Sequence, residues 1–347
     1  MHNLTELKEI LATPQRIVII PHRKPDADAL GSCLALWHFL KKQGHECIVI
    51  SPTDYPKFLF WMPGHEDVLI YENKNELKSV EYLHEANLIF CLDFSELSRA
   101  DKMTPALRIA RERGDAKFIL IDHHRGKEDF ADFELWDIEA AATAQLIFDF
   151  IEMLDGKELL DIAIASCIYA GLVTDTGSFK YPSTSAKTHH IAAELIDLGL
   201  KTEAIHRAIF DNNSVNRIKF LGFALNERLT ILPEYRTAFF AISENDLKNF
   251  ESQTGDTEGI VNYALSIEGV VFAAFFSAQK HYVKVSFRSV GDFAVNEFAS
   301  QHFKGGGHKN AAGGQLNTSL KKAIQKFKDL LPDYQEALNK VTEIMIS

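Results

Sequence analysis

Short, largely apolar runs alternate with amphipathic segments along the first half of the chain. The apolar runs have the length of strands and the composition of parallel strands that are buried on both faces; they span residues 16–20, 47–50, 87–92 and 117–121. Residues 29–43 have a helical pattern that ends at Gly44, a typical helix terminator. The alternation predicts an α/β domain with a mostly parallel sheet.

The segment that follows is largely helical in pattern. Residues 161–173 predict a buried helix, and Ser185 is a candidate cap for the next helix. Residues 201–229 are also helical in pattern, but they are polar in the middle. We interpret residues 186–228 as a helical linker that follows a first domain at residues 1–185.

A second and smaller α/β domain is predicted at residues 229–347. Its strands are expected at residues 237–242, 270–277 and 282–287, and its helices at residues 258–267, 294–301 and 319–330. The chain of 347 residues is long enough for two domains of ordinary size. We therefore expect a bilobed protein.

The charge and the cysteines narrow the class of protein. The net charge of −11 argues against a protein that coats long nucleic acid through a broad basic surface, although a short anionic substrate remains compatible with it. We find no signal peptide and no apolar run of the roughly 20 residues that span a bilayer. The four cysteines lie in apolar stretches without a CxxC pair, which favours a reducing, cytoplasmic location.

Metal-binding side chains follow three of the predicted strands. They are His22, Asp26 and Asp28 after the first strand, Asp93 after the third, and Asp122, His123 and His124 at the end of the fourth. Ligands of parallel α/β sheets bind beyond the carboxyl ends of the strands, so these side chains are expected to converge, and Asp175 after the predicted helix completes the set. Converging carboxylates repel one another unless cations neutralise them, and the imidazoles favour a transition-type metal over calcium.

Each of these side chains, taken singly, also has an ordinary structural explanation. Asp26 and Asp28 could be a polar helix start, Asp93 a turn residue, and the two adjacent histidines a solvated surface pair. As a set they favour a site for two metals, because two carboxylates separated by one residue can address cations about 3.5–4 Å apart. Asp122 could fix the tautomer of a neighbouring histidine ring.

The second domain carries candidate substrate-binding residues. Arg288 follows the alternating segment 283–287, and its guanidinium could hold a phosphate in a bidentate manner. The backbone N–H groups of Gly305, Gly306 and Gly307 could cradle a phosphate, and His308 could donate a hydrogen bond. Taken alone, a solvent-facing strand position explains Arg288 about equally well, and three consecutive glycines more often form a flexible turn.

These motifs, in their order and spacing, resemble a known family across nearly the whole chain. His22-x-x-Pro25-Asp26-x-Asp28-Ala29-x-Gly31-Ser32, Asp93, Asp122-His123-His124 and Asp175 resemble the four motifs of the DHH phosphoesterase superfamily. The segment from Gly305 to Gly313 resembles the signature of its DHH-associated C-terminal domain. In its length and its lack of transmembrane or sensor segments, the chain is most similar to the stand-alone NrnA-type nano-RNases. Enzymes of this type also dephosphorylate 3′-phosphoadenosine 5′-phosphate (pAp).

The resemblance implies a site for two manganese ions. One ion would bind His22, Asp26 and Asp93, and the other would bind Asp28, Asp93, His123 and Asp175, so that Asp93 bridges. His124 would contact the scissile phosphate or the leaving group, supported by Asp122. Arg288, Gly305, Gly306, Gly307 and His308 would hold the non-scissile end of the substrate.

The expected function is manganese-dependent hydrolysis of very short oligonucleotides to mononucleotides, together with dephosphorylation of pAp. Neither a long nucleic acid nor a membrane is expected as a partner, and a homodimer is left open. Inorganic polyphosphate, pyrophosphate, and linear or cyclic dinucleotides are alternative substrates for the same chemistry. A third reading is a nucleotide-binding module without activity, against which the intact set of ligands argues.

Overall fold

The chain folds into two compact units. The computed structural model describes residues 3–72, 75–253 and 255–341, and the units comprise Met1–Asn212 and Asn213–Ser347. The division falls inside the segment 186–228 that the sequence pattern marks as a linker. Residues 342–347 of the predicted second domain lie outside the described part.

The first unit is built on a six-stranded sheet in which every neighbouring pair is parallel. The strands are β1 (Arg16–Pro21), β2 (Glu46–Ser51), β3 (Leu69–Ile70), β4 (Leu88–Leu92), β5 (Lys117–Asp122) and β6 (Phe133–Trp136). Their order is β3-β2-β1-β4-β5-β6, so the winding direction reverses between β1 and β4. At such a reversal a crevice opens beyond the carboxyl ends of the strands. The predicted parallel sheet is confirmed, whereas β3 and β6 were not predicted.

Helices cover both faces of this sheet. They are α1 (Leu4–Leu11), α2 (Ala27–Lys42), α3 (Glu76–Glu85), α4 (Thr104–Arg113), α5 (Thr143–Met153), α6 (Ile162–Asp175), α7 (Ala186–Asp197) and α8 (Thr202–Phe210). Ile17 and Ile19 of β1 belong to the core that contains α2, α5 and α6, and Val18 and Ile20 belong to the core with α3 and α4. Because both faces are buried, the strand is apolar at every position from Ile17 to Pro21 instead of at alternate ones.

Helices α2 and α6 pack at backbone distance. A Cβ atom added to Gly31 of α2 would lie 2.4 Å from the carbonyl oxygen of Cys167 in α6. A Cβ atom added to Gly171 of α6 would lie 2.5 Å from Oδ1 of Asp28. Both positions therefore require glycine, and the contact holds the first turn of α2 against α6.

The second unit contains a mixed sheet of six strands. The strands are β7 (Leu229–Leu232), β8 (Thr237–Ile242), β9 (Phe272–Ala278), β10 (Val283–Ser289), β11 (Gly306–His308) and β12 (Ala311–Leu316), in the order β11-β12-β10-β9-β8-β7. Only the β8–β9 pair is parallel. The helices are α9 (Val215–Phe223), α10 (Glu244–Asn249), α11 (Ile260–Leu265), α12 (Val295–Phe303) and α13 (Leu320–Lys340). The expected second α/β domain is confirmed.

Two sequence-based expectations for this unit need correction. Three consecutive glycines are typical of a flexible turn, but residues Gly306–His308 form an edge strand paired with β12. The last helix was expected at residues 319–330, but α13 continues to Lys340 through Pro332. Its buried residues Phe327, Leu331 and Leu338 continue one apolar face past the proline, which explains why the helix does not end there.

None of the helices in the described ranges combines the length and the apolar character needed to cross a bilayer.

Candidate metal centre

The predicted ligands lie at the ends of adjacent secondary-structure elements. His22 follows β1, Asp93 follows β4, and His123 follows β5, and these three strands are neighbours in the sheet. Asp26 is the N-cap of α2 and accepts the N–H groups of Asp28 and Ala29, each at 3.0 Å. The parallel sheet therefore delivers all of these side chains to its carboxyl edge, at the reversal between β1 and β4.

A first group comprises His22, Asp26 and Asp93, each with a potential ligand atom within 4.8 Å of the others. Nε2 of His22 lies 3.4 Å from Oδ2 of Asp93. Nδ1 of His22 lies 2.8 Å from the carbonyl oxygen of Arg23. A carbonyl oxygen only accepts, so Nδ1 carries a proton and Nε2 is the nitrogen that a cation would bind.

A second group comprises Asp28, His123 and Asp175 under the same distance limit. Nε2 of His123 lies 3.2 Å from Oδ2 of Asp175 and 3.8 Å from Oδ2 of Asp28. Nδ1 of His123 lies 3.1 Å from the carbonyl oxygen of Ala140, which fixes the same tautomer as in His22. Asp175 is the last residue of α6, so a helix end completes the group.

Asp93 lies between the two groups. Its Oδ2 faces His22, and its Oδ1 lies 3.6 Å from Nε2 of His123. The side chain is buried, and its φ of 65° places the residue in the left-handed region, where aspartate is more frequent than most residues. This arrangement allows one carboxylate to contact two cations.

The buried charges shift one another's pKa values. Burial, reinforced by the carboxylates of Asp93 and Asp175, raises the pKa of Asp28 well above its ordinary value. Burial alone would raise the pKa of Asp93 as well, but the neighbouring His124 and His22 hold that pKa below its ordinary value. Burial would lower the pKa of His123, but the hydrogen bond to Asp175 and the surrounding carboxylates raise it well above its ordinary value. The raised pKa values mean that Asp28 and His123 hold their protons to a higher pH than usual.

Asp122 orients His124. Its Oδ1 accepts the backbone N–H of His124 at 3.1 Å and lies 2.8 Å from Nδ1 of the same residue. Nδ1 of His124 also lies 3.5 Å from Oδ1 of Asp93. Nδ1 of His124 therefore faces two carboxylates, those of Asp122 and Asp93.

Two candidate substrate-binding residues of the second unit, Arg288 and His308, lie on one face of its sheet. Arg288 on β10 and His308 on β11 are both register partners of Ala311 on the intervening strand β12. Directly opposed residues project to the same face, so the two side chains stand about 10 Å apart across two strand spacings. Gly306 and Gly313 form the next row on that face. Small residues therefore lie beside a guanidinium and an imidazole.

The three consecutive glycines have different roles. A Cβ atom at Gly305 would lie 1.9 Å from the carbonyl oxygen of Gly313, and one at Gly307 would lie 2.5 Å from that of Ala311. Gly307 also has a φ of 138°. Both glycines are thus required by the close approach of the β11–β12 hairpin. A Cβ atom at Gly306 would meet no atom of the described residues within 4 Å, so only this glycine borders open space.

Sequence reasoning missed the residues that hold the ligands. Thr143 donates its N–H to Oδ2 of Asp28 at 2.7 Å and its hydroxyl to Oδ1 of Asp93 at 2.7 Å. Ala144 donates its N–H to Oδ1 of Asp28 at 2.9 Å. The only signal in the sequence is a threonine at the start of an apolar helical run, which is a common helix start.

The donor set fits divalent transition metals. It combines four carboxylates with two imidazoles whose Nδ1 atoms are held by carbonyl oxygens, and such mixed ligands suit divalent transition metals more than calcium. Two divalent cations would also balance the four negative charges of Asp26, Asp28, Asp93 and Asp175.

The chain is similar to known proteins over most of its length. The family model described as DHH family, N-terminal domain matches residues 16–172, and that of the DHHA1 domain matches residues 239–339. The bifunctional oligoribonuclease and PAP phosphatase NrnA of Thermus thermophilus is 30% identical over 94% of this chain and 89% of its own length. The protein of the same name from Bacillus subtilis is 28% identical over 90% of this chain and 93% of its own length.

Solved structures share the architecture. The crystal structure of an exopolyphosphatase-related protein from Bacteroides fragilis superimposes with a TM-score of 0.91 at 34% identity, covering 97% of both chains. RecJ of Thermus thermophilus in complex with Mn²⁺ gives a TM-score of 0.52 at 14% identity, covering 97% of this chain and 55% of RecJ, which reflects a shared fold. The chain belongs to the DHH family of phosphoesterases, carries a DHHA1 domain in its second unit, and is a phosphoric-ester hydrolase.

Proposed function

We propose that this protein is a manganese-dependent phosphoesterase that trims very short oligonucleotides to mononucleotides and dephosphorylates pAp. The observation that carries the proposal is the position of Asp93, whose two oxygens face two separate groups of ligands. The similarity to the NrnA proteins, which are named as oligoribonucleases and PAP phosphatases, supports this choice of substrates.

Each ligand group would hold one cation. His22, Asp26 and Asp93 would bind the first, and the second would be bound by Asp28, Asp93, His123 and Asp175. Bound divalent cations would supply an activated water and neutralise the negative charge on the phosphoryl oxygens. The carbonyls of Arg23 and Ala140 keep the two histidine rings in the required tautomer.

His124 would act on the substrate directly. Asp122 and Asp93 hold Nδ1, and with both ring nitrogens protonated His124 would donate a hydrogen bond from Nε2 to the scissile phosphate or to the leaving oxygen. Asp122 is buried, and its carboxylate also accepts the backbone N–H of His124. It would therefore act by keeping the His124 ring in place.

Arg288, Gly306 and His308 would bind the rest of the substrate. They lie on one face of the second sheet, and Gly306 borders open space among the described residues. Gly305 and Gly307 would contribute by shaping the hairpin. The net charge of −11 leaves little cationic surface for a long strand, so we propose short oligonucleotides and pAp as the partners. The four free cysteines are compatible with the cytoplasmic location expected from the sequence.

A second candidate function is hydrolysis of polyphosphate or pyrophosphate. It is favoured by the exopolyphosphatase-related name of the structure that superimposes with a TM-score of 0.91. The same two ligand groups would serve either substrate, so the substrate-binding face would decide between them.

A substrate panel tests the proposal. The purified chain is stripped with a chelator, reloaded with Mn²⁺ or Ca²⁺, and given pAp, a dinucleotide, a 5-mer, a 20-mer and polyphosphate at fixed salt. We expect turnover of pAp and the dinucleotide with Mn²⁺ only, and an efficiency that falls steeply beyond about five nucleotides. Full turnover in excess chelator, or equal efficiency on the 20-mer, would contradict the proposal. A preference for polyphosphate would establish the second candidate.

A further inference from the structure

We propose that Thr143 is a positioning residue that ties together one carboxylate from each ligand group and thereby sets the affinity for both cations. This inference rests on the proposed metal-dependent function and names a residue that neither the sequence motifs nor the comparisons single out. Thr143 is fully buried and is the first residue of α5.

Thr143 contacts both groups through different atoms. Its backbone N–H donates to Oδ2 of Asp28 and its hydroxyl donates to Oδ1 of Asp93, both at 2.7 Å. An ionised carboxylate only accepts, so the hydroxyl proton must point towards Asp93. One residue thus links Asp28 of the second group to the carboxylate that both groups share.

The hydroxyl bond selects the orientation of Asp93. Oδ1 is the oxygen that faces His123, and holding it there leaves Oδ2 directed towards His22. A carboxylate oxygen has two lone pairs, so Oδ1 can accept from Thr143 and still bind a cation. Loss of the hydroxyl would free the carboxylate to rotate away from this orientation.

The backbone bond anchors Asp28. The N–H groups of Thr143 and Ala144 each hold one oxygen of Asp28, at the positive end of α5. This anchor uses main-chain atoms, so it survives changes to the threonine side chain. A side-chain substitution therefore separates the bond to Asp93 from the bond to Asp28.

The test compares three variants of the full chain. Thr143→Val removes the hydroxyl and keeps the shape, Thr143→Ser keeps the hydroxyl, and Thr188→Val is the matched control. Thr188 is also buried, and its hydroxyl donates to Gln145 of α5 at 3.0 Å, away from both ligand groups. Mn²⁺ affinity is measured by calorimetric titration, and thermal melting confirms that each variant is folded.

We expect Thr143→Val to bind Mn²⁺ about 10–100-fold more weakly, the usual effect of losing a group that orients a metal ligand. Its kcat should fall while the KM for a dinucleotide at saturating Mn²⁺ stays near that of the parent. Thr143→Ser should restore most of the affinity, and Thr188→Val should retain it.

Parental Mn²⁺ affinity and kcat in Thr143→Val would overturn the inference, as would equal losses of affinity in both valine variants. Failure of the proposed function is a separate result. If the parent binds Mn²⁺ but cleaves no short nucleotide, the substrate proposal fails, whereas the Mn²⁺ titrations of the variants still decide the role of Thr143.

Discussion

Asp122 and His124 are joined by two hydrogen bonds to a single oxygen. Oδ1 of Asp122 accepts the backbone N–H of His124 at 3.1 Å and lies 2.8 Å from its Nδ1. His123, the neighbouring residue, is instead held by the carbonyl of Ala140 and directs Nε2 at carboxylates. The two adjacent histidines therefore direct different ring nitrogens at carboxylates, Nε2 in His123 and Nδ1 in His124, which predicts different roles.

His123→Ala should lower the metal content, because it removes a nitrogen that lies 3.2 Å from Asp175 and 3.8 Å from Asp28. His124→Ala should keep the metals and slow turnover by about 10²–10⁴-fold, as expected for a lost acid–base or electrostatic group. Metal analysis and steady-state kinetics of the two variants check this. Equal loss of metal from both would contradict the division of roles.

Asp93→Asn should be the most damaging change to a single ligand. Asparagine keeps the size of the side chain and tolerates the positive φ, so the effect reports on the lost charge. We expect substoichiometric metal and a loss of turnover of at least about 10²–10³-fold, because the cations supply several kcal/mol of charge stabilisation. Asp149→Asn is the matched control, since Asp149 is a buried carboxylate paired with Lys187. Native binding of two metals by Asp93→Asn would refute the bridging role.

Gly171→Ala should damage both stability and the metal centre. The added Cβ atom would lie 2.5 Å from Oδ1 of Asp28 and 2.6 Å from Cβ of Ala144. Such overpacking costs about 1–3 kcal/mol, and the displaced Asp28 should weaken metal binding. Gly222→Ala is the control: it lies in α9 with no described atom within 4 Å of an added Cβ atom, and it should be neutral or stabilising by about 0.4–1 kcal/mol. Denaturant unfolding and metal titration of both variants distinguish the two positions.

Metal binding should release protons near neutral pH. Burial lowers the pKa of His22, but the carboxylates of Asp93 and Asp26 outweigh burial and raise this pKa above its ordinary value. The pKa of His123 also lies above its ordinary value. In the metal-free protein the protonated histidines stabilise the fold at pH values below the ordinary histidine pKa, and this contribution is lost as the pH rises through the raised pKa values. A cation binds the neutral histidine rings, so the apparent affinity of the protein for the cation should rise with pH over the same pH range. Calorimetry in two buffers with different ionisation enthalpies measures the released protons, and equal heats would contradict the prediction.

Arg288→Ala should weaken the binding of short substrates and leave the metal content unchanged. The expected loss is about 1.5–3 kcal/mol, the usual value of a hydrogen bond to a charged group. Lys284→Ala is the control, because Lys284 lies on the same strand and the same face of the sheet, four residues away from Arg288. KM values for a dinucleotide check this prediction. Equal effects of the two substitutions would mean that only general positive charge matters on this face.

Much of the first unit follows from local patterns. The buried strands β1, β4 and β5 are visible as apolar runs, because strands buried on both faces need apolar residues at every position. The polar residues that follow these runs stand out against them in the sequence. The parallel arrangement of the strands places those polar residues at one edge of the sheet. The short β3 and the edge strand β6 were missed, since two and four residues are too few to show a pattern.

The sequence by itself therefore determined the fold class and the identity of the candidate ligands, because both depend on residue types and on short-range periodicity. Only the tertiary structure decided how the ligands are held. Thr143 meets Asp28 from 115 residues away, and it does so through a backbone N–H that every residue except proline carries. Gly171 contacts Asp28 because two helices approach at backbone distance. Such contacts depend on how elements that are distant in sequence pack together. Main-chain donors cannot be recognised in the amino-acid sequence.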